Sequence, residues 1–493
     1  MNKYLHGAYG AGDPQSAREA VESQNAIIYL GTAPVHAVEG NAGKVNTPIV
    51  VRNIAEARRK LGYSDDWAKY SLCEAIHVHL QLGGVGPLVM INVLDPKKHK
   101  AAEGGSLTAK AANGQVRILA AEDAILDSIA IEGKEKGKDY AASYDCDKKI
   151  ITISELVIGA LGTEELSISW DKIDASLVTK EDAIGASDGA GLNSGLYAIK
   201  NVYQLTGYIP AHLVAPGFSS DPEFHEKMYE VSQQVNKHWH VYMRTDIPIM
   251  HEGTPVTLLN AATWKEAHGY NKENETTYFP LAKGTDGRIY HLSTLASGNL
   301  QALMVEQDGI PYTTPSNTDC PIIQNLYLGE ESAVRVYDDE LINEKLNRYG
   351  IASACYTGGR WAIWGAHSAS YTYTPDSEYR SDVSETNMMM LYYVINSFQH
   401  RRAKDVDKIK TINDLKAIVA DEQARLDALI GAKALIYGEC MLDAKSLERS
   451  DIMEGNYRFA FRVTTTPIAK SLTAYAAQVK DGFDIYIDQM LTA

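Results

Sequence analysis

The run A-I-I-Y-L-G-T-A-P-V, residues 26–35, is a string of apolar side chains broken by Gly31 and Pro34, the pattern of a strand delivered into a turn. Residues 86–94, G-P-L-V-M-I-N-V-L, are apolar at nearly every position, as in a strand covered on both faces. Between them lie a short strand, T-P-I-V-V at 47–51, and two helices. Asn53 caps the first, which runs to Leu61; Ser64 or Asp65 starts the second, from about Asp66 to Leu82. Strand and helix alternate, which makes this part of the chain an α/β domain.

From about Lys97 the pattern changes. T-A-K, Q-V-R-I-L, I-A-I-E-G, K-I-I-T-I and L-S-I-S-W come as short bursts separated by Gly, Asp and Lys, a small all-β unit between about residues 100 and 180. The α/β pattern resumes at Val178, with helices predicted at Gly195–Leu205 and Asp221–Asn236 and strands at H-L-V-A-P and W-H-V-Y-M. The β unit therefore interrupts a domain. Residues 290–336 are Pro-, Asn- and Thr-rich and poorly periodic. Beyond them a helix is predicted over Asn387–His400. A stronger one has Thr411 as its cap, Ile412, Leu415, Ile418, Val419, Leu426, Leu429 and Ile430 on one stripe, and Gly431 as its stop. Strands from Ala434 and from Gly455 complete an α+β unit.

The expected fold class is thus α/β and α+β multidomain. Its divisions are an N-terminal arm at 1–24, an α/β core domain at 25–99 plus 181–370, an inserted β domain at 100–180, and a C-terminal α+β domain with a strand-forming arm at 371–493. A chain of 493 residues with 45% hydrophobic content can fill about two to four cores.

Both ends look like arms. The first dozen residues set Gly7, Gly10 and Gly12 among aromatics, too Gly-rich for a helix and too short to fold alone. At the other end Tyr457, Phe459, Phe461 and Val463 alternate with Arg458, Ala460 and Arg462, the period-2 pattern of a half-buried strand, and strand-like segments continue through Phe483, Ile485 and Ile487. Terminal strands that outrun a core carry unpaired N–H and C=O groups, which another subunit's sheet can satisfy. The 29 tyrosines, against 7 phenylalanines and 6 tryptophans, suit surfaces wet before assembly and buried after it, or equally an ordinary β-rich interior.

The net charge of -16 argues against direct nucleic-acid binding, which needs clustered Lys and Arg. No apolar run approaches a bilayer span and no apolar leader opens the chain, so a product of the cytoplasm is expected. Five well-separated cysteines, Cys73, Cys146, Cys320, Cys355 and Cys440, read as free thiols.

Catalytic signals are thin. G-A-S-D-G, residues 185–189, fits the G-x-S-x-G nucleophile-elbow pattern around Ser187, but an elbow needs a strand before the serine and a helix after it; E-D-A-I precedes and A-G-L-N follows. The glycines at 189, 191 and 195 miss the dinucleotide spacing, and the chain has no phosphate loop. His77 and His79 on a helix would diverge; His238 and His240 on a strand would share a face but lack a third ligand. No catalytic residue, metal or cofactor is expected. The alternative is an α/β hydrolase using Ser187.

The order of segments resembles the sheath proteins of contractile phage tails, a family also used by phage-tail-like bacteriocins and contractile injection systems. The resemblance is carried by Y-L-H-G-A-Y-G, I-I-Y-L-G-T-A-P-V, V-N-T-P-I-V, L-G-Y-S-D-D-W, Y-S-L-C-E-A-I and V-M-I-N-V-L-D-P-K-K-H. More specific are V-T-K-E-D-A-I-G-A, G-L-Y-A-I and H-L-V-A-P-G-F-S-S-D-P-E at 212–223, then W-A-I-W-G-A-H-S-A and Y-R-F-A-F-R-V-T-T-T-P-I-A-K. Little aligns in the inserted unit or over residues 245–335. Ala366-His367-Ser368 stands where many relatives carry Asn-Arg-Thr.

The resemblance implies a structural subunit, made in the bacterial cytoplasm, that polymerises as stacked rings around an inner tube in a virion tail or tail-like particle. Its contraction would drive the tube through a cell envelope. The partners implied are further copies of the chain, a tail tube protein, and baseplate and tail terminator proteins, with no direct nucleic acid and no membrane insertion. Strand exchange would run through arms at residues 2–12 and 456–488, with Tyr4, Tyr9, Tyr457, Phe459, Phe461, Val463, Phe483, Ile485 and Ile487 as contact residues.

Overall fold

The computed structural model describes residues 25–329, 335–375, 380–445 and 447–492. Three strands open it: β1 (Asn25–Gly31), β2 (Pro48–Val51) and β3 (Leu88–Asn92). Six more are short and antiparallel: β4 (Gly105–Lys110), β5 (Gln115–Ile118), β6 (Ala130–Ile131), β7 (Tyr140–Asp145), β8 (Ile150–Glu155) and β9 (Glu165–Trp170). They form two three-stranded sheets, β4-β9-β6 and β5-β8-β7. Leu166 and Ile168 of one sheet meet Val116, Ile118, Ile151 and Ile153 of the other in a core of their own.

After them come β10 (Ile209–Val214), β11 (Tyr242–Asp246), the hairpin β12 (Met250–His251) and β13 (Thr254–Pro255), and β14 (Glu275–Tyr278). A small sheet holds β15 (Leu281–Gly284), β16 (Ile289–Tyr290) and β17 (Ile323–Tyr327); β18 (Ile351–Thr357) and β19 (Arg360–Trp364) follow. The main sheet has the order β19-β18-β14-β11-β10-β1-β3-β2. Neighbours from β18 to β3 are parallel, and the edge strands β2 and β19 are antiparallel to theirs.

Alternation sets the two faces of this sheet. Ile28, Leu30, Val89 and Ile91 point to a core with Leu196, Phe224 and Met228, whereas Ile27, Tyr29, Leu88 and Met90 meet Ala57, Leu61 and Leu72 on the other side. Each such burial stabilises by about 1.5–3 kcal/mol. The covering helices include α1 (Ile54–Leu61), whose cap Asn53 accepts from Glu56 N at 2.9 Å, and a helix over Pro222–Ser232 capped by Asp221. The helix expected from about Asp66 begins only at Leu72, residues 66–71 being turns, and its second part, Ile76–Leu82, is a π-helix.

Several expectations are corrected. The poorly periodic stretch contains a 15-residue helix, Leu292–Glu306, buried nearly all round, so no polar stripe betrays it. His238 and His240 precede β11 in a turn where Val235 N donates to Trp239 O, and they lie on no strand. His77 and His79 do diverge: His77 packs on Trp67 and Tyr290, while His79 bonds Tyr29 Oη at 2.7 Å and Gln301 at 2.5 Å. Tyr29, Tyr140, Tyr242, Tyr270, Tyr278 and Tyr290 are fully buried, so much of the tyrosine richness serves the interior.

The C-terminal part is built on an 18-residue helix, Glu385–Arg402, and a 20-residue helix, Ile412–Gly431, which begins with a capping box of Thr411 and Asp414. Leu415, Ile418, Leu426 and Leu429 are buried on one stripe, but Ile412 is 72% exposed. These helices cover a two-stranded antiparallel sheet, β20 (Leu435–Leu442) with β21 (Phe459–Thr465).

Buried histidines give the fold a defined pH range. Burial pushes His36 and His79 down to about 4. Their folded pKa lies below the unfolded value of about 6.5, so their contribution to stability is complete above that and lost as pH falls toward 4. His291 behaves oppositely. Burial pulls its pKa down, but the Glu74 carboxylate at 2.7 Å more than reverses this and raises it to about 9, so its contribution is lost as pH rises through that value. Melting temperature measured across pH is expected to peak near 6.5, to fall toward pH 4 as the His36 and His79 contributions are lost, and to fall toward pH 9 as that of His291 is lost.

Candidate assembly surfaces

The chain end is the functional candidate, and it has two parts. In the first, β21 belongs to the body. Phe459 and Phe461 set their rings 5.6 and 5.2 Å from Phe398, and Val463 packs against the core around Met390, Leu426 and Leu435. The register runs from Leu442↔Phe459 to Leu435↔Thr465. Tyr457 is partly buried and lines a groove of about 480 Å³ with Phe398, Leu415 and Phe459. The expected alternation is present, but these side chains face the protein's own core. Among the described residues its sheet has only two strands, which leaves β21 an open outer backbone edge there.

The second part leaves the body. Thr466 N donates to Ala434 O at 3.2 Å, and Lys470 lies against His367. Every residue from Ser471 to Thr492 is exposed. Phe483, Ile485 and Ile487 were expected in strands; they stand in a helix, Asp481–Leu491. The helical period wins because Phe483, Tyr486, Ile487, Met490 and Leu491 fall at spacings of three and four, and Asp481 and Asp484 favour the N-terminal end. Phe483 is 59% exposed and Leu491 79%. An isolated helix shorter than about 12–15 residues is marginal in water, so an uncovered apolar stripe on one of 11 residues calls for a partner surface. Tyr4 and Tyr9 lie outside the described residues.

Ser187 has no catalytic surroundings. It forms an isolated bridge with Asn193, and its hydroxyl accepts from Lys200 Nζ at 3.4 Å. Asp188 Oδ1 accepts from Ala190 N and Leu192 N, and Gly185, Gly189 and Gly191 have φ of 64°, 73° and 106°. This is a tight loop that demands glycine, with no strand leading in. Among the described residues no group of three or more His, Cys, Asp or Glu could hold a metal ion, and no helix is long and apolar enough to cross a membrane. The five cysteines are free, four of them buried.

No family model matches the chain. The tail sheath protein of Burkholderia phage BcepMu is 24% identical over 489 residues, spanning 95% of this chain and 96% of that one. The chain is a homologue of tail sheath proteins. Solved structures agree in fold at 10% identity. A chain of the anti-feeding prophage baseplate matches with a TM-score of 0.56 over 97% of this chain and 100% of that one. A chain of the PVC sheath complex of an extracellular contractile injection system, in its contracted state, matches at 0.53 over 98% and 100%. The sheath tail protein of Desulfitobacterium hafniense matches at 0.50 over 94% and 100%. The hydrolase alternative has no support: the homologue is a sheath protein, and Ser187 sits in a glycine loop with no strand leading in.

Proposed function

We infer that the chain is the structural subunit of a contractile tail sheath, polymerising around an inner tube and contracting to drive that tube through a cell envelope. The observation that carries this reading is collinear homology to a sheath protein over 95% of the chain. The exposed arm after Lys470 is what a polymerising subunit needs. Its partners would be further copies of itself, a tail tube protein, and baseplate and terminator proteins. The arms would be residues 2–12 and the segment after Lys470, with the open edge of β21 as a site for an incoming strand. The β unit at 100–180 would face outward, since its core closes on itself. The chain would act without cofactor in a virion tail or tail-like particle. Concentrated protein is expected to form tubes in negative-stain electron microscopy, and Ser187→Ala is expected to form them equally well; small oligomers at every concentration, or esterase activity lost in Ser187→Ala, would sink the reading.

A further inference from the structure

The C-terminal arm leaves the body at a single point, Lys470. Its Nζ lies 3.0 Å from Nδ1 and 3.2 Å from Nε2 of His367. An atom nearly equidistant from both ring nitrogens at that range sits over the ring face, because an in-plane position would drive it into the carbon between them. The imidazole is also stacked on Tyr371, with centroids 3.6 Å apart and planes 5° from parallel. Lys470 Nζ is 6.0 Å from the Tyr371 centroid, so the ammonium and the phenol ring occupy opposite faces of the imidazole. The three groups form a sandwich: cation, neutral heterocycle, aromatic ring.

The platform under this sandwich is fixed to the core. Ser368 N donates to Val383 O at 3.1 Å and Ser368 Oγ to Asp382 O at 2.8 Å, which ties the loop to the segment before Glu385. Ala369 N donates to Glu275 O at 2.7 Å, and Ala369 O accepts from the buried Lys265 Nζ at 2.6 Å, which ties it to the end of the main sheet. His367 Nδ1 lies 3.2 Å from Val383 O, the geometry of a protonated Nδ1 donating to a carbonyl. A cation on the ring face requires the ring to be uncharged. Burial and the adjacent ammonium together push His367 down to about 4, which meets that requirement at neutral pH.

We propose that Lys470, His367 and Tyr371 are a clasp that fixes the root of the C-terminal arm to the core and so sets the direction in which the arm reaches a neighbouring copy. The second half of this rests on the sheath reading. The first half does not, and the two can fail separately.

The test uses the full chain and trypsin. The arm carries two cleavable lysines, both exposed: Lys470 held in the clasp and Lys480 with no such contact. Each cleavage rate is normalised to that of the same bond in a synthetic peptide of residues 464–492, which removes the effect of the flanking residues. Wild-type protein is expected to be cut after Lys470 about fivefold more slowly than after Lys480 on this scale, the order expected of one cation–π contact at a solvent-exposed site. His367→Arg sets a like charge against the ammonium, and Tyr371→Leu removes the stack; both are expected to bring the two rates together and to reduce tube formation in electron microscopy. His367→Phe restores a neutral ring face and should restore the slow cut. Equal normalised rates in wild type, or an unchanged ratio in both releasing variants, would overturn the clasp. Equalised rates with tubes as abundant as wild type would overturn its role in directing the arm. If wild type itself forms no tubes, the sheath reading fails while the protease ratio still decides the clasp.

Discussion

Glu385→Ala is expected to destabilise the protein by about 3–5 kcal/mol, the cost of leaving a buried charge without its partner. Arg244 in β11 and Glu385 at the start of its helix are both fully buried, with Nη2 to Oε1 at 2.5 Å. Thr314 Oγ1 donates to the second carboxylate oxygen at 2.7 Å, and His212 Nδ1 lies 3.2 Å from Arg244 Nη1. Burial and the guanidinium hold His212 well below its ordinary pKa, so it faces Arg244 as a neutral acceptor. Arginine cannot shed its proton to escape. Removing the carboxylate therefore strands a cation in the centre of the molecule. Glu385→Gln, which keeps an acceptor, should lose less. The double variant Arg244→Met with Glu385→Leu should recover most of the loss, because the penalty lies in the orphaned charge. Urea unfolding of the four proteins reads this directly, and a Glu385→Ala loss below about 1 kcal/mol would show that the pair is not energetically coupled.

That pair also marks the limit of what the sequence could show. The strands first visible in the chain, β1 and β3, are apolar on both faces and buried on both faces. Another strand of the same sheet, β14, Glu-Thr-Thr-Tyr, is equally buried, yet its composition carries no apolar signal of a buried strand. The polar side chains of Glu275 and Thr276 are tolerated because both find partners. Glu275 is held by His225 at 2.8 Å and by Thr245, and Thr276 bonds Tyr242 Oη at 2.9 Å. The same logic hides the helix Leu292–Glu306, where Ser293 and Ser297 are spent on Asp246 and on the backbone. Composition cannot signal partners that come from 30 or more residues away. Capping is local, and the box at Thr411 stands where the sequence puts it. At the chain end, Phe483, Ile485 and Ile487 satisfy period two while Phe483, Tyr486, Ile487 and Met490 satisfy period 3.6. Only the longer count separates the two, and it favours the helix.

Deleting residues 471–493 is expected to abolish tube formation while leaving the folded body intact. From Ser471 to Thr492 nothing is buried, so the deletion removes no core contact, and the change in unfolding free energy should stay within about 0.5 kcal/mol. Circular dichroism should lose only the signal of one 11-residue helix. Assembly is a different matter. The segment carries Leu472, Tyr475, Val479, Phe483, Ile485, Tyr486, Ile487, Met490 and Leu491, all exposed in the single chain. If even half of these are covered at each joint, at about 1.5–3 kcal/mol per side chain, their loss is of the same order as the whole free energy of an ordinary micromolar contact. The loss recurs at every joint of a lattice, so polymers fail before single contacts do. A deletion starting at Gly455 supplies the contrast. It removes β21, strips Phe459, Phe461 and Val463 from their core, and should unfold the C-terminal unit as well as block assembly. Sedimentation separates these outcomes: the shorter deletion should run as a compact monomer or small oligomer, the longer one as an expanded or aggregating species. Long tubes from the protein lacking 471–493 would mean that the joints are made by the folded body and that the exposed arm serves something else.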